Sequence, residues 1–211
     1  AAMFTMMNNA RLGVGVQGIG AAEGAFQQAL TYAGGRRQFG KPISDYPDVR
    51  RMLTCMKADI FAARALALDC AVATDMGVAT GKADWRARAA FLTPIAKAFG
   101  TDTGIRVADM AVQVHGGMGF IEETGIAQYL RDVRVTAIYE GTNGIQAMDL
   151  VGRKMADQGA AAFALLDAGE RSSAVLFFAR LGQSLQADEL PLLGAELRDK
   201  GEVFYEPVSY T

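Results

Sequence analysis

Residues 84–114, DWRARAAFLTPIAKAFGTDTGIRVADMAVQV, predict a long amphipathic helix. Their apolar side chains recur at spacings of three and four residues or sums of these, as they do on one face of a helix. These side chains are Leu92, Ile95, Phe99, Val107, Met110 and Val114. Pro94 lies inside the pattern and predicts either a kink or a later helix start.

Two earlier stretches, Arg11–Ala33 and Pro47–Asp75, show the same periodicity, and shorter helices are predicted over Gly125–Thr136 and Gly144–Met155. The expected apolar face of the first helix comprises Leu12, Val16, Ile19, Phe26, Leu30 and Ala33. That of the second comprises Val49, Met52, Met56, Ile60, Ala63, Ala67 and Cys70. Long helices joined by short loops predict an all-α fold, an up-down helical bundle. Residues 156–211 are expected to add a helical region that ends in a loose tail over Val203–Thr211.

Glycines mark both contacts and breaks in this pattern. Gly13, Gly20 and Gly24 weaken the first helix, so we expect them to allow close approach of another backbone. Gly34 and Gly35 are expected to cap the end of that helix. The segments 77–81 and 115–120 are expected to be loops, the second because three glycines fall within four residues.

The composition is that of an ordinary globular protein, with 51% hydrophobic residues, 21% charged residues and a net charge of −2 over 211 residues. No basic block suggests nucleic-acid binding, no apolar run is long enough to span a bilayer, and Ala1–Asn9 lacks a secretory pattern. We therefore expect a cytoplasmic protein. Cys55 and Cys70 are expected to be reduced core thiols. The single histidine, His115, rules out a metal site with several imidazoles, and no metal is expected.

Taken one at a time, the loops have ordinary interpretations. Gly116–Gly119 is typical of a tight turn. Glu140 fits a solvated acid before a helix that Thr142 or Asn143 caps. The Arg36-Arg37 pair fits a helix end, where cations complement the helix dipole.

Four segments are more informative when their order and spacing are considered together. They are RRQFGKPI at 36–43, QVHGGMGF at 113–120, LRD at 130–132 and IYEGTNGIQ at 138–146. The series resembles the C-terminal domain of acyl-CoA dehydrogenases over about residues 7–154. This resemblance implies a helical bundle domain over 1–155, an extension over 156–211, and N-terminal and middle domains that are absent from this chain. YPDVRRML at 46–53 and DLVGRK at 149–154 resemble a longer bacterial branch that includes 3-methylthiopropanoyl-CoA dehydrogenases.

The resemblance implies α,β-dehydrogenation of an acyl-CoA thioester, in which a base removes the α-proton and FAD accepts a hydride at N5. It assigns the base to Glu140 and substrate contacts to Arg11, Tyr139 and Gly141. Some family members place a glutamate directly before this arginine. Ala10 occupies that position here, so the alternative base is absent.

The resemblance also implies an FAD site that crosses a subunit boundary. Arg36, Gln38 and Phe39 match one segment that reaches a neighbouring subunit's cofactor, although the family often has Thr or Ser in place of Gln38. The residues Gln113, Gly116 and Gly117 match a second such segment. Thr142 and Gln146 match positions beside the same subunit's FAD. By contrast, His115 is expected to pack, and Arg131 and Asp132 are expected to be structural, each with its own partner.

The partners implied are an acyl-CoA substrate, an electron-transfer flavoprotein as electron acceptor, and further copies of the chain in a homodimer or homotetramer. On its own the chain is expected to be inactive and to bind FAD weakly. An acyl-CoA oxidase-like flavoenzyme and a non-enzymatic relative that binds nucleic acid remain alternatives. The lack of a basic patch argues against the second. The sequence does not specify the acyl chain of the substrate.

Overall fold

The computed structural model describes residues 2–155 and forms an all-α bundle around three long helices. These helices are α1 (Ala2–Gly35), α2 (Pro47–Thr80) and α3 (Ala83–His115). Each is longer than the periodicity predicts. Helix α1 begins well before Arg11, and α2 continues through Gly77 until Gly81, whose φ of +67° forms a left-handed cap. Pro94 neither delays nor ends α3.

The three helices run up, down and up. Helices α1 and α3 are parallel, because Gly15 lies against Ala96 near the middle of both helices and Tyr32 stacks on His115 near their C-terminal ends. Helix α2 runs antiparallel to α3, as shown by the ion pairs of Asp59 with Arg106 and of Asp69 with Arg88. This arrangement places the N-terminal halves of α1 and α3 side by side.

Helices α1 and α3 approach each other through glycines, but not through those expected from the sequence. A Cβ atom on Gly18 would lie 2.6 Å from the Gly100 carbonyl oxygen, and one on Gly15 would lie 2.7 Å from the Ala96 carbonyl oxygen. Gly13 and Gly20 have no atom within 4 Å of such a Cβ, so the prediction for them was wrong. The rotation of α1 about its own axis decides which glycines face α3, and the residue composition does not predict that rotation.

The core is rich in alanine and lies between α1, α2 and α3. Its fully buried members include Ala22, Ala25, Ala29, Met56, Val107, Ala108, Ala111 and Ile126. Val16 and Leu30 were expected on the buried face of α1 but are 51% and 43% exposed, because small alanines occupy the contact face instead. Cys70 is buried as expected, whereas Cys55 is exposed and is not a core thiol.

Short elements connect and complete the bundle. A hairpin of β1 (Arg37–Gln38) and β2 (Lys41–Pro42), not predicted from the sequence, follows α1. The expected glycine cap at Gly34 and Gly35 is absent, because both residues belong to α1 and the left-handed backbone occurs later, at Phe39 and Gly40. A 3₁₀ turn at Ile43–Asp45 leads into α2.

After α3, the glycine-rich segment expected to be only a loop contains one helical turn, α4 (Gly117–Phe120). A 3₁₀ turn at Glu122–Thr124 precedes α5 (Ile126–Val133), and another at Arg134–Ala137 follows it. The last described elements are α6 (Asn143–Asp149) and a π-helical turn at Leu150–Lys154. Both predicted short helices therefore exist. The first continues into a 3₁₀ turn and the second into a π-helical turn.

The predicted helical extension and tail lie in 156–211, outside the described residues. Among the described residues, no helix has the length and apolar character needed to cross a membrane. The same part of the chain contains no cluster of three His, Cys, Asp or Glu side chains that could hold a metal ion.

Candidate active site

Glu140 lies on a loop whose backbone is left-handed at two consecutive residues. The φ angles are +54° at Glu140 and +85° at Gly141. A left-handed conformation is unfavourable for a residue with a Cβ, so surrounding contacts must hold Glu140 in place. The Thr142 hydroxyl then caps α6 by accepting a hydrogen bond from the Ile145 amide at 3.3 Å. The predicted capping role of Thr142 is confirmed, and α6 begins directly after the loop.

Two buried side chains hold the carbonyl groups of this loop. Gln146 Nε2, from α6, donates to the Gly141 carbonyl at 3.1 Å and to the Glu140 carbonyl at 3.3 Å. Lys97 Nζ, from α3, donates to the Gly141 carbonyl at 2.8 Å. The φ of +85° at Gly141 favours glycine, and a Cβ there would lie 2.7 Å from Gln146 Nε2, so the Gln146 side chain would have to move.

Asn143 ties the start of α6 to α3. Its Oδ1 accepts from Lys97 Nζ at 2.9 Å, and its Nδ2 donates to Thr101 Oγ1 at 3.0 Å and to Asp102 Oδ1 at 2.6 Å. Burial raises the pKa of Asp102, although the Asn143 hydrogen bond and nearby cations oppose this. Burial lowers the pKa of Lys97 from 10.5 to about 8, with the Asp102 charge acting in the opposite direction.

Arg11 lies on α1 and forms an ion pair with α6. Its Nη1 donates to Asp149 Oδ2 at 2.9 Å, and both side chains are about nine-tenths buried. Arg153 also contacts Asp149, at 2.6 Å. Burial raises the pKa of Asp149, but the hydrogen bonds and charges of Arg153 and Arg11 outweigh it, and the net pKa lies below its usual range. Arg11 Nε is buried and has no hydrogen-bond partner among the described residues.

The remaining loop residue, Tyr139, is partly exposed, and its hydroxyl donates to the Gln17 side chain on α1. Helices α1, α3 and α6 therefore converge on the loop and fix its backbone. The Glu140 carboxylate itself is half-buried and forms no hydrogen bond or ion pair with any described residue. An unpaired carboxylate on a fixed backbone can accept a proton from a bound molecule.

The other predicted site residues lie at the C-terminal ends of α1 and α3, away from the Glu140 loop. Arg36 and Gln38 are exposed next to and within the hairpin, and the Phe39 ring at its tip is 94% exposed with a φ of +48°. The Gln38 carbonyl accepts from the Tyr46 hydroxyl at 2.9 Å. The Arg36 guanidinium forms no hydrogen bond or ion pair with a described residue. The hairpin region thus exposes a cation and an aromatic ring to solvent.

Gln113, Gly116 and Gly117 are likewise exposed, at the end of α3. Gln113 follows Lys97 by sixteen positions, which is about 24 Å along a helix. His115 packs as expected: its ring stacks on Tyr32 with centroids 4.1 Å apart.

An open groove of about 650 Å³ lies beside this stack. Its lining consists of Gly24, Gln27, Gln28, Thr31, Tyr32, His115, Thr124 and Tyr129, and it includes no residue of the Glu140 loop. The predicted site residues therefore form two separate groups, one beside the middle of the α1–α3 pair and one at the C-terminal ends of these helices.

Arg131 and Asp132 do not have wholly separate partners. Gln128 accepts from Arg131 at 2.9 Å and donates to Asp132 at 2.6 Å, while Arg131 also contacts Glu122 at 3.2 Å. These contacts are near the surface and away from Glu140, in agreement with a structural role.

Sequence reasoning considered Asn143 only as a helix cap, and it missed that Lys97, Asn143 and Asp149 hold the Glu140 loop and its flanking helix. One signal for Lys97 was present: it is the only charged residue between Ala89 and Gly100. A lone charge in an apolar helical run is unusual and requires a partner. No comparable signal marks Asn143 or Asp149, whose partners are distant in sequence.

Comparison with known proteins identifies the class to which this bundle and loop belong. The family described as acyl-CoA dehydrogenase, C-terminal domain, matches residues 1–155. This chain therefore belongs to the acyl-CoA dehydrogenase family. The 3-methylmercaptopropionyl-CoA dehydrogenase of Ruegeria pomeroyi is 47% identical over 169 residues, which cover 74% of this chain and 29% of that protein. Methylmercapto and methylthio denote the same group, so this relative lies in the branch that the sequence resembles.

Solved structures agree on the fold. Butyryl-CoA dehydrogenase from Megasphaera elsdenii matches with a TM-score of 0.63 and 36% identity, over 70% of this chain and 36% of that one. An acyl-CoA dehydrogenase from Bacillus anthracis complexed with FAD matches with a TM-score of 0.70 and 27% identity, over 80% of this chain and 31% of that one. The chain thus spans about a third of the length of such relatives.

Proposed function

We propose that this chain supplies the catalytic base and part of the FAD site of an acyl-CoA dehydrogenase, with Glu140 removing the α-proton of an acyl-CoA thioester. The observation that carries the proposal is the unpaired Glu140 carboxylate on a loop held by buried side chains. FAD, when bound, supplies the acceptor for the β-hydride at its N5 atom. The role of Glu140 is to receive the α-proton, which requires a carboxylate fixed at the substrate's α-carbon.

The described residues fit an FAD cofactor chemically. Arg36 offers an exposed guanidinium of the kind that binds a pyrophosphate, and Phe39 offers an exposed ring. Gly116 and Gly117 have open space where a Cβ would stand, so a ligand can approach their backbone. Gln38 and Gln113 supply nearby amides.

Beside the middle of α1 and α3, Gln146 and Thr142 flank the Glu140 loop. Gln146 uses its nitrogen on the loop, while its buried Oε1 has no partner among the described residues and can accept a hydrogen bond from the cofactor. The Thr142 hydroxyl accepts within α6 and retains a hydrogen to donate. The separation of about 24 Å between the two groups supports the proposal that the hairpin end serves the FAD of a neighbouring subunit in a homodimer or homotetramer.

Three residues are proposed to serve the substrate. Gly141 allows an acyl thioester to approach the loop backbone. Arg11 keeps a guanidinium beside the loop, and its free Nε is a donor available for an oxygen or a water molecule. Tyr139 forms the exposed edge of the loop. Electrons are proposed to leave through an electron-transfer flavoprotein in the cytoplasm, and 3-methylmercaptopropionyl-CoA is the first substrate to assay because of the Ruegeria pomeroyi relative.

The test is anaerobic reduction of the FAD-loaded enzyme by acyl-CoA, followed by stopped flow. Glu140→Gln should retain the fold and FAD, because the amide has nearly the same shape, while flavin bleaching slows by about four orders of magnitude, the upper range for removal of a general base. Glu123→Gln removes an exposed acid elsewhere and is the matched control. Ala10→Glu in the Glu140→Gln background should recover part of the rate. Bleaching of Glu140→Gln at the wild-type rate would exclude Glu140 as the base.

A further inference from the structure

Lys97 is an unusual residue for a helical core. Its side chain is 0% exposed, and no other charged residue lies between Ala89 and Gly100. A buried ammonium group must be compensated by close partners, because it loses its hydration. Among the described residues, Lys97 forms no ion pair within 4 Å and instead donates to two neutral oxygen atoms. The amine is therefore placed for hydrogen bonding to a particular backbone segment.

That segment is the loop that carries Glu140. Lys97 binds the Gly141 carbonyl at 2.8 Å and the Asn143 amide oxygen at 2.9 Å, so it spans the turn that follows the glutamate. Glu140 and Gly141 both have positive φ angles. A left-handed residue with a Cβ is disfavoured by about 1 kcal/mol or more. Without its hydrogen-bond donors the loop would relax toward an ordinary conformation, and the Glu140 side chain would point elsewhere.

The support for Lys97 is itself rigid. Lys97 lies one helical turn before Gly100, whose backbone contacts Gly15 of α1. The same face of α3 holds Asn143 through Thr101 and Asp102. Lys97 thus lies beside a close backbone contact between α1 and α3, and its amine reaches from there to the loop.

We propose that Lys97 is a positioning residue for the reaction: it holds the Glu140–Gly141 turn so that the carboxylate meets the α-carbon of the acyl thioester. This inference rests on the function proposed above for Glu140. Lys97 acts through the Gly141 carbonyl and Asn143, and it neither receives the α-proton nor touches the reacting atoms. The charged groups around it are Asp102 on α3, Arg11 on α1 and Glu140 on the loop.

The experiment compares Lys97→Met with wild type in the FAD-loaded enzyme. Methionine matches most of the length of lysine but donates no hydrogen bond. Flavin reduction at saturating acyl-CoA should slow by about 10- to 100-fold, since a displacement of about 1 Å can cost that much. FAD content and KM should stay within about twofold of wild type. Lys97→Gln, which keeps an amide donor one atom shorter, should lie between the two. Lys82→Met, at an exposed lysine between α2 and α3, is the control and should behave as wild type.

A double variant separates this inference from the proposed function. If Lys97 acts only through Glu140, then Lys97→Met combined with Glu140→Gln should be no slower than Glu140→Gln alone. An additive loss in the double variant would overturn the positioning role while leaving Glu140 as the base. A wild-type rate for Lys97→Met beside an inactive Glu140→Gln would also overturn it. A wild-type rate for Glu140→Gln would instead refute the proposed function.

If Lys97→Met does not fold, a second variant still tests the proposal. Should that protein lose its FAD or its cooperative thermal transition, Lys97→Gln carries the same comparison. A reduced rate with intact FAD content in Lys97→Gln supports the positioning role, and a wild-type rate in it counts against that role.

Discussion

A single methyl group at the α1–α3 contact should distort the framework of the site. In Gly18→Ala, the added Cβ would lie 2.6 Å from the Gly100 carbonyl oxygen and 2.8 Å from Thr101 Cα. Both are backbone atoms of a buried helix, so neither can rotate away, and α1 must shift from α3. Overpacking of this kind destabilises by about 1–3 kcal/mol.

The matched control lies two residues further along the same helix. Gly20 is exposed, and no atom lies within 4 Å of the position that an added methyl group would take, so Gly20→Ala changes only helix propensity. Alanine is favoured over glycine inside a helix by about 1 kcal/mol. Gly20→Ala should therefore stabilise by about that amount. For Gly18→Ala the same gain offsets an overpacking term of about 3 kcal/mol, which leaves a net loss of about 2 kcal/mol.

The assay is urea denaturation of each variant followed by far-ultraviolet circular dichroism, with unfolding free energies from linear extrapolation. The two variants should differ by about 3 kcal/mol with opposite signs relative to wild type. If Gly18→Ala is as stable as Gly20→Ala, the helices do not approach each other as described. In that case α1 and α3 would not form a rigid frame for the Glu140 loop.

Three further predictions concern the site. Asp149→Asn should destabilise by about 3 kcal/mol in urea titrations, because it leaves the Arg11 guanidinium buried without its counter-charge, whereas loss of the exposed Asp48 carboxylate should barely register. The pKa of Lys97 is lowered by burial to about 8 in the folded chain, against 10.5 when unfolded, so the folded state binds fewer protons between these values. The stability of wild type relative to Lys97→Met should accordingly rise, by up to about 3 kcal/mol, as pH increases from 8 to 10.5, and a flat difference would contradict the buried amine. Glu140→Gly should raise the melting temperature while abolishing turnover, because glycine accepts the +54° φ angle without the strain of about 1 kcal/mol; a lower melting temperature would argue against a strained loop.

Helix content was predictable from the sequence because hydrophobic periodicity is a local property. The three long helices, the existence of a break between the second and third, and the cap at Thr142 all depend on residues a few positions apart. The family and the candidate base were predicted from the order of the motifs, which is also read directly from the sequence. The predicted helix boundaries were wrong before Arg11 and after Asp75, where the helices continue although the residues there show no clear helical periodicity.

Other features depended on the relative phase and direction of the helices, which the tertiary structure alone decides. Periodicity placed Val16 and Leu30 inside, but the alanine and glycine face of α1 packs more closely and leaves them exposed. In the same way, Gly18 contacts α3 while Gly20 does not.

The site itself shows the same division. Neighbouring residues alone were enough to predict that Glu140 lies on a glycine-containing loop before a capped helix. Packing of the folded chain brings Lys97 to the Gly141 carbonyl, to which Gln146 also donates, although Lys97 and Gly141 are separated by 44 positions. Local patterns encode helices because their hydrogen bonds join near neighbours. A buried polar network forms only after packing has excluded water and brought distant donors and acceptors within hydrogen-bond distance.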